Sequence, residues 1–152
     1  MTASTEVLIG DLDAQHVLIR ALFRSQPDLF DFTEGNWIDC ELQIAAGGFR
    51  GSFRVDLRSE EFESFTDEME ALRRAPDGTA TFSSLDRQIA LSLTADAAGH
   101  VRVSGEAVDA ADGNRLQFSF AIDPSHVAPI CQSLHDLLTA FPVTDVPEAE
   151  QI

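Results

Sequence analysis

Polar and apolar residues alternate along residues 37–44 (Trp-Ile-Asp-Cys-Glu-Leu-Gln-Ile) and again along residues 49–58, with Gly47-Gly48 between the two runs. Period two on both sides of a turn predicts a β-hairpin. A two-residue loop at Gly47-Gly48 sets Leu42 opposite Phe53, Cys40 opposite Val55 and Ile38 opposite Leu57 on one face. On the other face it sets Glu41 opposite Arg54 and Trp37 opposite Arg58. A one-residue slip would bury Arg54 and Asp39, so the pattern favours this register alone.

Other segments carry the same kind of signal. Val7-Leu8-Ile9 and residues 16–23 are apolar and β-branched enough for strands joined through a turn at Gly10-Asp11, and residues 26–35 are loop-like. After the hairpin, Ser59 is placed to cap a helix through Arg74, with Phe62, Phe65, Met69 and Leu72 as its apolar stripe and Pro76-Asp77-Gly78 as its stop. Strands follow at Thr79–Ser83 and Ile89–Ala95. A turn at Asp96-Ala97-Ala98-Gly99 then pairs Ala95 with Val101, Leu93 with Val103 and Leu91 with Gly105. Leu116, Phe118, Phe120 and Ile122 alternate in a last strand after an Asp112-Gly113 turn. Val108 breaks the parity before it, which predicts a bulge or strand end near residues 107–109.

Asp123-Pro124-Ser125 signals a helix start, and Ile130, Leu134, Leu137, Leu138 and Phe141 form a helical stripe to about Ala140. Proline is tolerated only in a helix's first turn, so Pro129 places the regular start near Val127 or Ala128, with any turn from Pro124 set apart by a break. The order is β-β-β-β-α-β-β-β-β-α, without a repeat of 20–50 residues. The expected fold is α+β: a single domain over residues 1–143, with a mostly antiparallel sheet of about seven to eight strands, curved or split into a sandwich, and two packed helices. Residues 144–152 are expected to form an acidic, frayed tail.

Charge changes the functional picture. The chain has 152 residues, 26 acids against 10 bases and a formal net charge of −16, and every base is arginine. Such a surface repels nucleic-acid phosphate and anionic lipid and attracts a basic protein. Cys40 and Cys131 are far apart in the chain, with no CxxC spacing, and no apolar signal or membrane-spanning run is present. The expectation is two free thiols in a reduced, cytoplasmic setting.

A search for chemistry finds little. Walker, GxGxxG, GxSxG, HExxH and EF-hand patterns do not occur. Gly47, Gly48 and Gly51 precede a strand, whereas a phosphate cradle needs a helix N-terminus behind it. Cys131 and His135 are four apart on the last helix with His126 beside it, but further ligands are wanting, so they read as a partly buried thiol and surface histidines. His100, at the end of a tight turn, reads as structural. The expectation is no catalytic residue, no cofactor and no metal.

Two surfaces remain as candidates for partner binding. On the first helix Glu60, Glu63, Asp67 and Glu70 run three and four apart opposite the apolar stripe, an electrostatic docking row relieved only by Arg74. On the outer hairpin face Glu41 lies across from Arg54, Asp39 diagonal to Arg54 and Arg58, and Trp37 beside Arg58.

Six segments in order, Gly35-Asn36-Trp37-Ile38, Gly47-Gly48-Phe49-Arg50-Gly51, Leu57 with Glu61-Phe62, residues 99–105 (Gly-His-Val-Arg-Val-Ser-Gly), residues 118–123 (Phe-Ser-Phe-Ala-Ile-Asp) and Phe141-Pro142-Val143, resemble the WapI family of bacterial immunity proteins over about residues 7–143. The resemblance implies a cytoplasmic antidote to a WapA-type, contact-dependent toxin whose C-terminal domain can cleave tRNA. It also implies inhibition by direct protein binding, not catalysis. The charge adds a basic toxin domain as the partner. The alternative is a small apolar-ligand-binding domain, with a cavity enclosed by the sheet and lined by several of the 11 phenylalanines. A third is an enzyme of unrecognised type, which would need a cleft with convergent carboxylates or histidines.

Overall fold

The computed structural model describes residues 5–75 and 77–144. Eight strands form two four-stranded antiparallel meanders, each followed by a helix. The first sheet contains β1 (Glu6–Gly10), β2 (His16–Arg24), β3 (Trp37–Ala46) and β4 (Phe49–Arg58), and leads into α1 (Ser59–Arg74). The second contains β5 (Thr79–Ser83), β6 (Ile89–Ala95), β7 (Val101–Val108) and β8 (Arg115–Ile122), followed by a 3-10 turn (Pro124–His126) and α2 (Val127–Ala140). The architecture therefore repeats once, with each half a ββββα unit.

The central hairpin has the register its alternation predicts, with Leu42 opposite Phe53, Cys40 opposite Val55, Glu41 opposite Arg54 and Trp37 opposite Arg58. Gly47 takes a φ of 59° in the two-residue turn, a left-handed conformation that glycine adopts without a Cβ penalty. The β6–β7 register is also as expected, and β7 ends at Val108, where parity breaks. Gly105 sits opposite Phe118, and a Cβ there would come within 2.3 Å of that ring. Its missing side chain is what lets Phe118 lie over the sheet.

Both helices occupy their predicted ranges, with one change at each start. Arg58, not Ser59, is the N-cap of α1. Ser59 is the first helical residue, fully buried, and the Glu61 carboxylate reaches back to accept from the Arg58 backbone N–H at 2.9 Å. Pro129 falls in the first turn of α2, and the preceding turn runs into the helix as a tighter 3-10 coil without an intervening gap. Of the predicted α1 stop, Pro76 lies outside the described residues; the helix is capped by Ala75, whose N–H donates to the Ala71 carbonyl.

One core joins both halves. Val7, Ile9, Ile38, Cys40, Leu42 and Leu57 of the first sheet share it with Phe82, Leu91, Leu93, Val103 and Phe120 of the second and with both helical stripes. The helices cross between halves: α1 packs on β5 and on α2, and α2 packs on β1. Cys40 and Cys131 are free and buried, and burial raises both thiols above their ordinary range. Thr144, assigned to the tail from sequence, is held by the buried Asn36 amide, which accepts from its backbone N–H at 2.7 Å. The rest of that tail, residues 145–152, lies outside the described residues. Among the described residues no helix is long and apolar enough to cross a membrane.

Candidate functional site

The outer face of the first sheet is built in rows across its strands. Glu6, Arg20, Glu41 and Arg54 stand in successive register on β1, β2, β3 and β4. Arg20 bridges its two neighbours, to Glu6 at 3.1 Å and to Glu41 at 2.8 Å. Glu41 is therefore tied to β2, where the hairpin pattern alone had suggested Arg54 on β4. An inner strand has two neighbours, and the hairpin register describes only one of them.

Arg54 lies instead with its guanidinium 5.6 Å from the centre of the Phe23 ring. Phe23 is 53% exposed. A β-bulge between Ala21 and Phe23 puts one extra residue into β2, which turns Phe23 toward the outer face opposite Asp39 while Ala21 stays in the core.

The next row runs Phe23, Asp39, Asp56, with the two aspartates directly opposite each other on β3 and β4. Among the described residues neither forms an ion pair with an arginine. Arg54 is committed to Phe23, and Arg58 to Glu60, Glu61 and the Trp37 ring. The shared hydrogen bond with Asp39, partial burial, the Asp39 charge and the nearby Asp86 push the Asp56 carboxyl up from 3.8 to about 6, and Arg54 opposes this only in part. Asp39, Arg54, Val55, Asp56 and Gln88 line an open hollow of about 300 Å³ between the hairpin and the β5–β6 turn.

Because its folded-state pKa is raised, Asp56 binds more protons folded than unfolded between about pH 4 and 6, so its contribution makes stability fall as pH rises through that window. Asp56→Asn is expected to remove this slope. At pH 7 it should raise the free energy of unfolding by about 0.5 kcal/mol, since like charges across a solvated strand pair cost little. Urea melts of both proteins at pH 4.5 and 7 check it.

At the end of the hairpin, Arg58 lies 5.6 Å from the centre of the Trp37 ring and pairs with Glu61 at 3.0 Å and Glu60 at 3.4 Å. Burial pushes the Glu61 carboxyl up and its Arg58 hydrogen bonds pull it down. Glu61 thus closes the start of α1.

The acidic row of α1 is less free than its spacing suggested. Glu63 and Asp67 are exposed, but Glu60 and Glu70 are half-buried. Glu70 accepts from Arg73 at 2.8 Å and meets His135 of α2 at 2.7 Å, and these partners hold its carboxyl below the usual carboxylate range. Glu68, between Asp67 and Glu70 in sequence, accepts from the Thr81 backbone N–H and hydroxyl. Half of the predicted row therefore joins elements of the fold, and two carboxylates remain for a partner.

A cleft of about 340 Å³ lies between the end of α1, the β6–β7 turn and the start of α2, lined by Leu72, Val101, Val127, Arg73 and His100 among others. It is bounded by helix ends, and no phenylalanine lines it; Phe62 and Phe65 instead pack on Phe82 in the core. Among the described residues no group of three or more His, Cys, Asp or Glu is arranged to hold a metal ion.

Comparison with known proteins now adds to this geometry. The model of the WapI-like immunity protein family matches residues 7–142, from β1 to just beyond α2. The chain belongs to the WapI-like immunity protein family. No curated protein matches it. Among solved structures it is similar to one described as the MRP1/MRP2 of Trypanosoma bruciei, at 11% identity over 92% of this chain and 86% of that one, with a TM-score of 0.50. That likeness concerns the fold alone. On this WapI-like chain the match takes in every candidate residue on both surfaces. Two residues of the outer face, Phe23 and Asp56, are additions from the structure. Asp56 was signalled by the hairpin register, which sets it opposite Asp39; Phe23 depends on a bulge that alternation within β2 does not reveal.

Proposed function

We propose that this protein is an immunity protein that neutralises a contact-dependent toxin of the WapA type, a nuclease acting on tRNA, by binding its toxic domain directly in the cytoplasm, without catalysis of its own. The observation that carries this reading is the family match over residues 7–142. The charge of −16 supports a basic toxin domain as the partner, because opposite fields steer encounter and speed association.

Association kinetics with its cognate toxin domain test the reading. The on-rate is expected to fall by on the order of tenfold between roughly 0.05 and 0.3 M salt, as screening shortens the reach of the acidic surface. An on-rate indifferent to salt would refute the basic-partner model, and failure to form any complex would refute the immunity reading itself.

A further inference from the structure

We propose that the toxin docks on the outer face of the first sheet and seats one of its arginine side chains in the hollow between Asp39 and Asp56, with Phe23 and Trp37 as flanking apolar contacts. The inference rests on the reading of the chain as a toxin-binding immunity protein, and it names the face and the chemistry of the contact.

Four observations converge on this face. Both helices contribute to the core shared with the opposite side of the sheet, and on the outer side Phe23, Arg54 and Asp56 stay exposed. The β2 bulge exposes an aromatic ring on that side, where a regular strand would have continued its alternation. The neighbouring carboxylates Glu6, Glu41, Glu60 and Glu61 already have arginine partners, whereas Asp39 and Asp56 face each other across the strands without one. Finally, the pair lines a hollow of about 300 Å³ closed on one side by Gln88 of the other half. A guanidinium placed there relieves the repulsion between the two carboxylates and donates charge-assisted hydrogen bonds to both.

The surroundings favour arginine over lysine. A planar guanidinium bridges two carboxylates with parallel N–H donors and stacks on aromatic faces, as Arg54 already does on Phe23 and Arg58 on Trp37. Tryptophan and arginine, both present on this face, are also enriched among the residues that dominate binding energy in protein interfaces. The exposed acids of α1, Glu63 and Asp67, line neither this hollow nor the cleft at the helix ends, and their role is steering.

The test uses the full chain and its cognate toxin domain, with equilibrium affinity as the readout. Asp39→Asn with Asp56→Asn removes two charges and keeps shape; it is expected to weaken binding by about 10- to 100-fold. Glu63→Gln with Asp67→Asn removes the same charge from α1 and is expected to change affinity less than about threefold. Phe23→Ala should weaken binding by about tenfold. Groups facing Asp56 are Asp39 on β3, Arg54 on β4 and Asp86 on the β5–β6 turn. Wild-type affinity should therefore decline as pH falls below about 6, through uptake of one proton that the Asp56→Asn variant does not show. A wild-type complex that tolerates the sheet variants, or loses more to the α1 pair than to the Asp39 and Asp56 pair, overturns the inference and leaves the immunity reading standing. Absence of a wild-type complex overturns both.

Discussion

Phe65→Ala is expected to lower the free energy of unfolding by about 3–5 kcal/mol, the largest effect of any single truncation considered for this chain. Phe65 is 1% exposed and meets Phe82 edge-on, with ring centres 5.4 Å apart, and Phe62 meets the same ring at 5.3 Å. These three rings join α1, which closes the first half, to β5, which opens the second. Truncation of Phe65 removes apolar burial and leaves a cavity between the halves that neither backbone can close without disturbing the other. For a chain of this length the loss corresponds to roughly 10–15 °C in melting temperature. Phe65→Leu should cost far less, about 1–1.5 kcal/mol, because it retains most of the volume. Equilibrium unfolding in urea measures both. Wild-type stability in the alanine variant would remove the ring cluster from the account of the core.

Asn36→Ala is expected to cost about 2–4 kcal/mol through polar chemistry. The Asn36 side chain has no exposed surface. Its amide nitrogen donates to the carbonyls of Phe32 at 3.0 Å and Thr144 at 3.2 Å, and its oxygen accepts from the Thr144 N–H at 2.7 Å and hydroxyl at 3.1 Å. The Asn36 carbonyl accepts from the N–H of Ser59, at the start of α1. One residue thus ties the loop before β3, the start of α1 and the segment after α2. Alanine leaves part-buried donors and acceptors without this partner, and among the described residues no other side chain is in hydrogen-bonding contact to replace it. Asn36→Asp restores the acceptor but turns a charge toward two carbonyls, so it should be at least as destabilising at pH 7 and should recover as pH falls. Thermal melts at pH 5 and 7 separate the two variants.

The features legible in the sequence are the local ones. A two-residue turn between alternating runs determines the β3–β4 register, and the position of Pro129 locates the start of α2, because each depends on residues within a few positions of one another. The division into two sheets and the crossing of each helix toward the other half depend on contacts between distant segments, and alternation carries no information about those. The same distinction runs through the candidate surfaces. Asp39 opposite Asp56 was contained in the hairpin register. The Arg20 partner of Glu41 needed the β2–β3 register, which the bulge before Phe23 shifts. The His135 partner of Glu70 lies 65 residues away on another helix, so the α1 row looked like one continuous acidic stripe when half of it serves the fold.

The central claim is that this chain silences a toxin by occupying it. The most direct measurement is the activity of its cognate toxin domain while the purified chain is added in rising amounts. The account predicts a linear fall that reaches zero near one chain per toxin domain, as expected of tight binding. Toxin activity that persists in a large excess of the folded chain would contradict it.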